Sequence, residues 1–272
     1  DWINKSSNSI FVNVTSSDTN NISTFIDFDG SLVAWWRMDD VNSTTGVTDY
    51  LGLNNGTANG NAVQTDAGKM GKGFAFDGTG DYINFGSTII DYTNSPLTYS
   101  AWVKTNQSSG VIMEKGADAG GFALVVSSGK GEFSYRWDTS GSYTTLTGTS
   151  SVSDDNWHYL VATINSSADM VLYIDGVSEA TGSATLLGFD PADPFAIGYE
   201  TALGVDGVND DFNGSIDEVM IFNRSLSAAE IQAIYNSSQY RLERGLSLTD
   251  GSYSYHAQSV DLTGNRESSK LS

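Results

Sequence analysis

FNGSIDEVMIFNRSLSAAEIQAIY, residues 212–235, decides the fold, because it joins a β-strand directly to the start of a helix. SIDEVMIF is rich in strand-forming side chains, and the Ser-Ala-Ala-Glu sequence that begins at Ser227 is a capping box. A single short helix behind a strand of this kind predicts a lid on a β-sandwich rather than an α/β fold. Inside the strand, the neighbouring acids Asp217 and Glu218 need an explanation.

The rest of the chain repeats the strand pattern. Short alternating stretches rich in Val, Ile, Tyr, Phe and Thr are separated by Gly, Asn, Asp and Ser turns, among them GFAFDG, LTYSAWVK, GFALVVSS, GEFSYRWD, HYLVATIN and MVLYIDG. This spacing is typical of an antiparallel sandwich. The sequence therefore predicts an all-β fold.

The charge balance excludes some partners. The chain has 33 acidic and 13 basic residues and a net charge of −20, so nucleic acid and anionic membranes would be repelled. Cysteine is absent, which excludes disulfides and thiolate metal sites. No run of 18 apolar residues occurs, so we expect no direct membrane insertion.

The Asn-x-Ser/Thr triplet recurs through the chain. Such triplets are acceptors for N-glycosylation in exported proteins. Their number predicts an extracellular, cell-surface glycoprotein. The triplets begin at Asn4, Asn13, Asn21, Asn42, Asn55, Asn106, Asn165, Asn213, Asn223 and Asn236.

The motifs SLVAWWRMDD, GKGFAFDGTGDYINF, LTYSAWVKT, NWHYLVATINSSADMVLYIDGV and FNGSIDEVMIFNRSLSAAEIQAIY follow one another in the chain. Together they resemble a laminin-G-like, concanavalin A-like jelly-roll domain from about Ser31 to Tyr235. The resemblance implies two curved antiparallel sheets packed face to face, with a short helix after the last strand. We place the jelly-roll domain at residues 31–238.

The two chain ends resemble a different domain. GLSLTDGSYSYHAQSVDLTGN, residues 245–265, is similar to the closing hairpin of an immunoglobulin-like repeat of surface proteins, and residues 8–30 are similar to its opening strands. Neither end has enough strands to close a core alone. We therefore predict a discontinuous immunoglobulin-like β-sandwich formed by residues 1–30 and 239–272, and the alternative is two unrelated extensions.

The resemblance also implies a calcium ion between the first and last strands of the jelly roll. It places Asp39 and Asp217 at those strand ends, and the turn that holds Asn55 would add oxygen ligands, which calcium prefers. Glu218 would then point to the opposite face of the strand. The alternative is that Asp217 only accepts hydrogen bonds from turn amides or forms a salt bridge.

A second acidic set lies in GVDGVNDDFNG, residues 204–214. It provides Asp206, Asn209, Asp210 and Asp211, which are suitable calcium ligands by type. The spacing differs from that of a helix-loop-helix calcium loop. A solvated loop explains the same residues.

The sequence does not predict catalysis. Related jelly rolls that cleave glycosides carry a Glu-x-Asp-x-x-Glu run on one strand, which is absent here. The two histidines, His158 and His256, lie outside any nucleophile-elbow motif. We expect no catalytic residues and no enzyme activity.

Two residues are candidates for sugar binding, because glycan sites combine a flat aromatic ring with polar groups. Trp102 would form the platform if it is exposed on a concave sheet, and Arg136 lies on the polar face of another predicted strand, GEFSYRWD. The alternative is that the aromatic residues belong to the core.

These observations predict a calcium-stabilised glycan-recognition or adhesion module in a modular cell-surface protein. Its partners would be a glycan or a surface or matrix component, together with neighbouring units of the same or a similar chain. One alternative is a structural spacer, filament or shell component without a soluble ligand. The other is a glycoside-processing enzyme.

Overall fold

The computed structural model describes most of the predicted jelly roll and the strands at both chain ends. For Arg136 and the strands at the two chain ends, only the backbone is described. The described ranges are 9–15, 23–27, 30–42, 45–87, 96–116, 121–136, 143–185, 194–199, 211–236, 241–247, 255–260 and 266–271.

Two large antiparallel sheets form the body of the fold, as the strand pattern predicts. We call the first the front sheet, and its neighbouring strands are all antiparallel. In spatial order it contains Tyr143–Ser151 (β13), Lys130–Arg136 (β12), Gly121–Ser127 (β11), Gly110–Lys115 (β10), Phe195–Ile197 (β17), Tyr82–Asn84 (β8), Gly56–Asn59 (β5) and Gly46–Val47 (β4).

We call the second large sheet the back sheet. In spatial order it contains Val177–Ser183 (β16), Asp169–Ile174 (β15), Trp157–Ile164 (β14), Leu97–Lys104 (β9), Asn213–Phe222 (β18), Gly73–Asp77 (β7) and Val63–Thr65 (β6). Leu32–Trp36 (β3) also belongs to this sheet and pairs with the second half of β18.

The main core lies between the two sheets. It is filled by inward-facing residues of both sheets, such as Tyr99 and Phe122, whose rings stack with centroids 3.7 Å apart. A second apolar cluster, which we call the outer cluster, covers the other face of the back sheet. Trp35, Trp102 and Tyr159 of the sheet belong to it, and Ile231 and Ile234 of the helix cover them.

The strands at the two chain ends pair with each other. Ser9–Thr15 (β1) runs antiparallel to Arg241–Ser247 (β19). A three-stranded sheet joins Ser23–Asp27 (β2) to Tyr255–Val260 (β20) and Arg266–Leu271 (β21). The immunoglobulin-like domain of residues 1–30 and 239–272 stays a prediction.

The helix begins where the capping box places it. Ala228–Asn236 (α1) follows Ser227, whose backbone N–H donates to the Glu230 carboxylate at 2.7 Å. Arg224 donates two further hydrogen bonds to the same carboxylate, at 2.7 and 3.0 Å. In the part of the chain that the structure describes, no helix is long and apolar enough to cross a membrane.

Replacing Glu230 with Ala should remove this cap and lower the free energy of unfolding by about 2 kcal/mol, as the loss of a helix cap and a charge-assisted hydrogen bond requires. Burial alone would raise the pKa of Glu230, but hydrogen bonds from Arg224 and Ser227 outweigh it and lower the pKa to about 2. The stabilisation should therefore be complete above pH 4.5, the ordinary value, and disappear as the pH falls towards 2. Urea unfolding between pH 2 and 7 measures both effects.

Gln232→Ala, in the same helix, is the matched control and should change stability by only a few tenths of a kcal/mol. Equal losses in the two variants at neutral pH would contradict the role of the cap.

Candidate functional site

Asp217 and Glu218 lie at a break in strand pairing. On one edge of β18, β7 pairs with Asn213–Ile216 and β3 pairs with Val219–Phe222, so the two acids lie between the two partner strands. On the other edge, the register against β9 shifts by one residue at this point. Glu218 takes φ of 50° in this bulge, in the left-handed region that non-glycine residues rarely adopt.

The Asp217 carboxylate accepts three backbone hydrogen bonds at this break in strand pairing. Its Oδ2 accepts hydrogen bonds from the backbone N–H groups of Lys69 and Met70, at 2.8 and 2.9 Å. Its Oδ1 accepts the N–H of Glu218 at 2.8 Å. Asp217 is fully buried, so these bonds satisfy donors that would otherwise be buried without acceptors. The alternative of an aspartate that accepts turn amides is the arrangement observed here.

Glu218 does not point to the opposite face from Asp217, and that expectation is wrong. Its Oε2 accepts a hydrogen bond of 2.6 Å from the indole Nε1 of Trp35, which belongs to the outer cluster. The strict alternation of a strand fails because the bulge inserts an extra residue and turns Glu218 to the outer face. Both acids therefore lie on the same face of the back sheet.

Burial raises the pKa of both carboxyls. Burial raises the pKa of Glu218 to about 8, although the Arg37 guanidinium opposes the shift. Burial and then the Glu218 charge raise the pKa of Asp217 well above its ordinary range. Oε1 of Glu218 makes no hydrogen bond to any described group, which fits a carboxyl whose charge is costly to bury.

Asp39, Asn55 and Asp217 stay the predicted calcium set, and the oxygens of all three already accept hydrogen bonds from the protein. Asp39 is close enough to Asp217 to raise its pKa, but its carboxylate already pairs with Arg37 and accepts the Lys72 N–H at 2.7 Å. The exposed Asn55 instead accepts the N–H of Asp49 at 2.9 Å. Calcium needs six to eight oxygen ligands, and no group of three or more acids or histidines among the described residues is arranged to hold a metal.

The second acidic set is only partly visible. Asp206, Asn209 and Asp210 lie outside the described residues. Asp211 is described, and its Oδ2 accepts the N–H of Gly80 at 2.6 Å. Both calcium sets therefore stay predictions.

Trp102 is not the exposed platform that the sequence predicts. Its side chain is only 3% exposed, because Tyr235 of α1 stacks on it with ring centroids 5.5 Å apart. The ammonium of Lys69 lies 4.1 Å from the centre of the indole ring, a cation–π contact. The side chain of Arg136 lies outside the described part, so its role stays a prediction.

An exposed aromatic pair occurs elsewhere, on the outer face of the front sheet. Ile83 of β8 is fully buried in the main core, so its neighbours Tyr82 and Asn84 face outward. The Tyr82 ring lies 5.3 Å from the ring of Tyr199, at 35° between planes. Tyr199 is 37% exposed and Tyr82 is half-buried.

Gly198 brings Tyr199 to this position. It follows β17 with φ of 89°, in the left-handed region that favours glycine, and a Cβ at this residue would lie 2.5 Å from the Phe76 ring. Its N–H donates to Ile112 O, and its carbonyl accepts the N–H of Phe212, both at 3.0 Å. These two backbone hydrogen bonds hold Gly198, and therefore the next residue, Tyr199, in position.

Three polar residues surround the pair. Thr57 lies opposite Asn84 in the register of β5 and β8, and Asn59 lies opposite Tyr82. We call Thr57, Asn59, Tyr82, Asn84 and Tyr199 the tyrosine patch. Asn59 Nδ2 donates to Thr57 O at 2.8 Å and Asn84 Oδ1 accepts the N–H of Gly86 at 2.7 Å, so Asn59 offers its carbonyl oxygen and Asn84 its amide hydrogens.

Sequence reasoning missed the tyrosine patch. The alternation in DYINFG places Tyr82 and Asn84 on one face, and this signal was available. The partnership of Tyr199 with Tyr82 depends on the pairing of β17 with β8, which no local pattern reveals.

His158 makes hydrogen bonds through both ring nitrogens. Nδ1 lies 2.8 Å from an oxygen of Asp175, and Nε2 lies 3.0 Å from an oxygen of Asp154. Hydrogen bonding to Asp175 raises the pKa of His158. His256 lies in β20, where only the backbone is described.

Most described glycosylation triplets have an accessible asparagine. Asn4 and Asn21 lie outside the described residues, as does the side chain of Asn13. Asn165 is half-buried and bonded within its own turn at 2.8–3.0 Å. The exposed ones are Asn42, Asn55, Asn106, Asn213, Asn223 and Asn236.

The fold and its sites define a lectin-like β-sandwich, and comparison with known families agrees. A laminin G family model, described as the concanavalin A-like lectin/glucanases superfamily, matches residues 77–232. This is more than half of the chain, so the chain belongs to the concanavalin A-like lectin/glucanase superfamily. The laminin-G-like jelly roll is thus confirmed. A comparison with curated protein sequences gives no match.

Solved structures of the same fold include binding domains of enzymes and toxins. Domain 4 of AbnA, a GH43 extracellular arabinanase from Geobacillus stearothermophilus in complex with arabinotriose, is 20% identical with a TM-score of 0.60, over 78% of this chain and 99% of that one. The botulinum neurotoxin serotype D ligand-binding domain in complex with N-acetylneuraminic acid is 18% identical with a TM-score of 0.59. That match covers 77% of this chain and 51% of the toxin domain.

The binding domain of Paraclostridial Mosquitocidal Protein 1 is 18% identical with a TM-score of 0.60. The match covers 76% of this chain and 52% of that domain, so this chain spans about half the length of the toxin domains.

Glu218→Gln should stabilise the fold at pH 8 and have little effect at pH 4. Above pH 4.5 the unfolded chain releases a proton that folded Glu218 keeps until about pH 8, so folding becomes less favourable across this range. Glutamine keeps the acceptor for Trp35 without this cost. Thermal unfolding at several pH values measures the difference.

Asp66→Asn is the matched control, because the Asp66 side chain is 93% exposed. It should shift the melting temperature little at any pH. A Glu218→Gln effect that is the same at pH 4 and pH 8 would show that Glu218 does not titrate in this range.

The calcium prediction expects the melting temperature to fall when EDTA replaces calcium, because an ion held only by the native state stabilises it by mass action. Asp217→Asn should reduce that difference when the ion binds at the first predicted set, and Asp211→Asn should reduce it when the ion binds at the second. Identical melting curves with calcium and with EDTA would contradict the prediction that this chain binds a stabilising calcium ion.

Proposed function

We propose that this chain is an extracellular glycan-recognition module of a modular cell-surface protein, and that the tyrosine patch is its binding surface. The observation that carries the proposal is the exposed Tyr82–Tyr199 pair with amide groups beside it. Sugar rings have apolar C–H faces and polar hydroxyl edges. Aromatic faces suit the first, and amides suit the second.

The described part of the patch offers both kinds of hydrogen-bonding group. Asn59, opposite Tyr82 on β5, offers an acceptor, and Asn84, two residues along β8, offers donors. A sugar hydroxyl both donates and accepts, so one sugar unit stacked on Tyr82 has a partner for each role. Four of the five patch residues lie on the neighbouring strands β5 and β8, which hold their spacing, and Tyr199 follows β17.

The solved relatives support a binding role through the ligands in their structures. The AbnA domain was captured with arabinotriose and the neurotoxin domain with N-acetylneuraminic acid. These ligands belong to those proteins. Their fold is shared with this chain, and its accessible glycosylation triplets favour the extracellular setting.

Binding is a better proposal than catalysis. Glycoside hydrolysis needs two carboxyl groups facing a sugar about 5–10 Å apart. Asp217 and Glu218 are fully buried, where no sugar reaches them. Glu132, on the front sheet, is 9% exposed and accepts the Thr147 hydroxyl at 2.8 Å.

Tyr82→Ala should weaken glycan binding at least about tenfold, or about 1.4 kcal/mol, because it removes the stacking surface. A glycan array identifies the bound sugar, and titration calorimetry of the best hit with both proteins measures the loss. Tyr199→Ala should have a similar effect.

Tyr143→Ala is the matched control, because Tyr143 is 51% exposed on the edge strand β13 of the same sheet. It should bind as the unmodified protein does. Equal binding by the Tyr82 and Tyr143 variants would place the site elsewhere. A blank array with folded protein would favour the structural spacer.

A further inference from the structure

The chain segments that build the tyrosine patch contain no positive charge. Its residues come from positions 57–59, 82–84 and 199. Neither Lys nor Arg occurs in residues 38–68, 73–103 or 137–223. The whole chain has only 13 basic residues, and the segments that supply the patch contain none of them.

The basic side chains that the structure describes are engaged or located elsewhere. Lys115, two strands away from β8, is fully buried and donates to Ser87 O at 3.1 Å. Arg37, Lys69, Lys72 and Arg224 contact residues of the back sheet, its connections or α1. Lys104 is 3.9 Å from Asp155, and Lys130 lies at the turn between β11 and β12.

One partly exposed carboxylate lies close to the patch. Asp211 is half-buried and accepts the N–H of Gly80, two residues before Tyr82. Asp81 immediately precedes Tyr82, but it is fully buried and its two oxygens accept the N–H groups of Asn61 and Asp77. An acidic sugar placed on Tyr82 would be repelled by Asp211 and by the net charge of −20, and none of the described guanidinium or ammonium groups lies on the patch to pair with its acid group.

From this arrangement we infer that the tyrosine patch selects uncharged glycans and rejects sialylated, sulfated or uronic acid-containing ones. The inference depends on the proposed function, because it specifies the ligand class of the same site. The solved relatives contain both ligand classes, since arabinotriose is neutral and N-acetylneuraminic acid is an acid. Fold alone therefore does not decide between them, and the charge around the patch does.

The test is an array that prints each neutral glycan beside a counterpart that differs only by an acid group. The unmodified protein should bind neutral members and bind their acidic counterparts at least about tenfold more weakly, a difference of about 1.4 kcal/mol. Raising the salt from 50 to 500 mM should leave neutral binding unchanged and reduce the difference, because salt screens the repulsion. Tyr82→Ala should weaken binding at least about tenfold, as above, and Tyr143→Ala should not.

Asn84→Lys provides the second arm, because it places one positive charge on the patch. Binding of acidic members should rise relative to their neutral partners. Tyr82-dependent binding of acidic members that equals or exceeds neutral binding in the unmodified protein would overturn the inference and keep the proposed function. Absence of binding to every glycan would overturn both.

Discussion

The back sheet depends on how the chain bridges the gap between β7 and β3. β18 is paired along its other edge with β9, and along this edge its partner changes within two residues. Such a change leaves backbone groups without a ladder partner in a buried place, which costs about 1–3 kcal/mol for each group. The Asp217 carboxylate accepts the N–H of Glu218 in this gap, and it also accepts the N–H groups of Lys69 and Met70 in the connection that leads into β7, so it ties that connection to β18 where the partner changes.

This solution has consequences for the surface of the molecule. The bulge beside Asp217 turns Glu218 to the same face of the back sheet as Asp217. Trp35 and residues of helix α1 belong to the outer cluster on that face, and Tyr235 of the helix stacks on Trp102. The outer face of the back sheet is therefore used for stability, and the exposed aromatic pair lies on the front sheet.

Much of the fold follows from local pattern. Alternation of apolar residues predicts the strands of both sheets, and the Ser227–Glu230 capping box predicts the start of α1. Alternation fails at Glu218 because of a bulge. A bulge depends on how two strands pair, so the sequence of one strand alone does not predict it. The burial of Trp102 cannot be predicted from local pattern for a similar reason, since it depends on the packing of helix α1, which lies about 130 residues later in the chain.

In the candidate site, too, some residues can be placed from local pattern and others only from the pairing of strands. Tyr82 and Asn84 can be placed on the outer face from the sequence DYINFG, but Tyr199 joins them only through the pairing of β17 with β8 and the turn at Gly198. Pairing between strands more than 100 residues apart is set by the global fold rather than by local preference.

The distribution of charge connects the two faces of the molecule. The described basic side chains lie mainly around the back sheet, where Arg37 and Lys69 offset the buried acids of the outer cluster. None of the described cations lies on the tyrosine patch. As the proposed binding surface, the patch would gain affinity from stacking and neutral hydrogen bonds, and it would discriminate by repulsion of acids rather than by attraction of a chosen charge. Stacking on two tyrosines gives modest affinity for a single sugar, and repeated copies of such a module on one surface raise the overall affinity without any new contact.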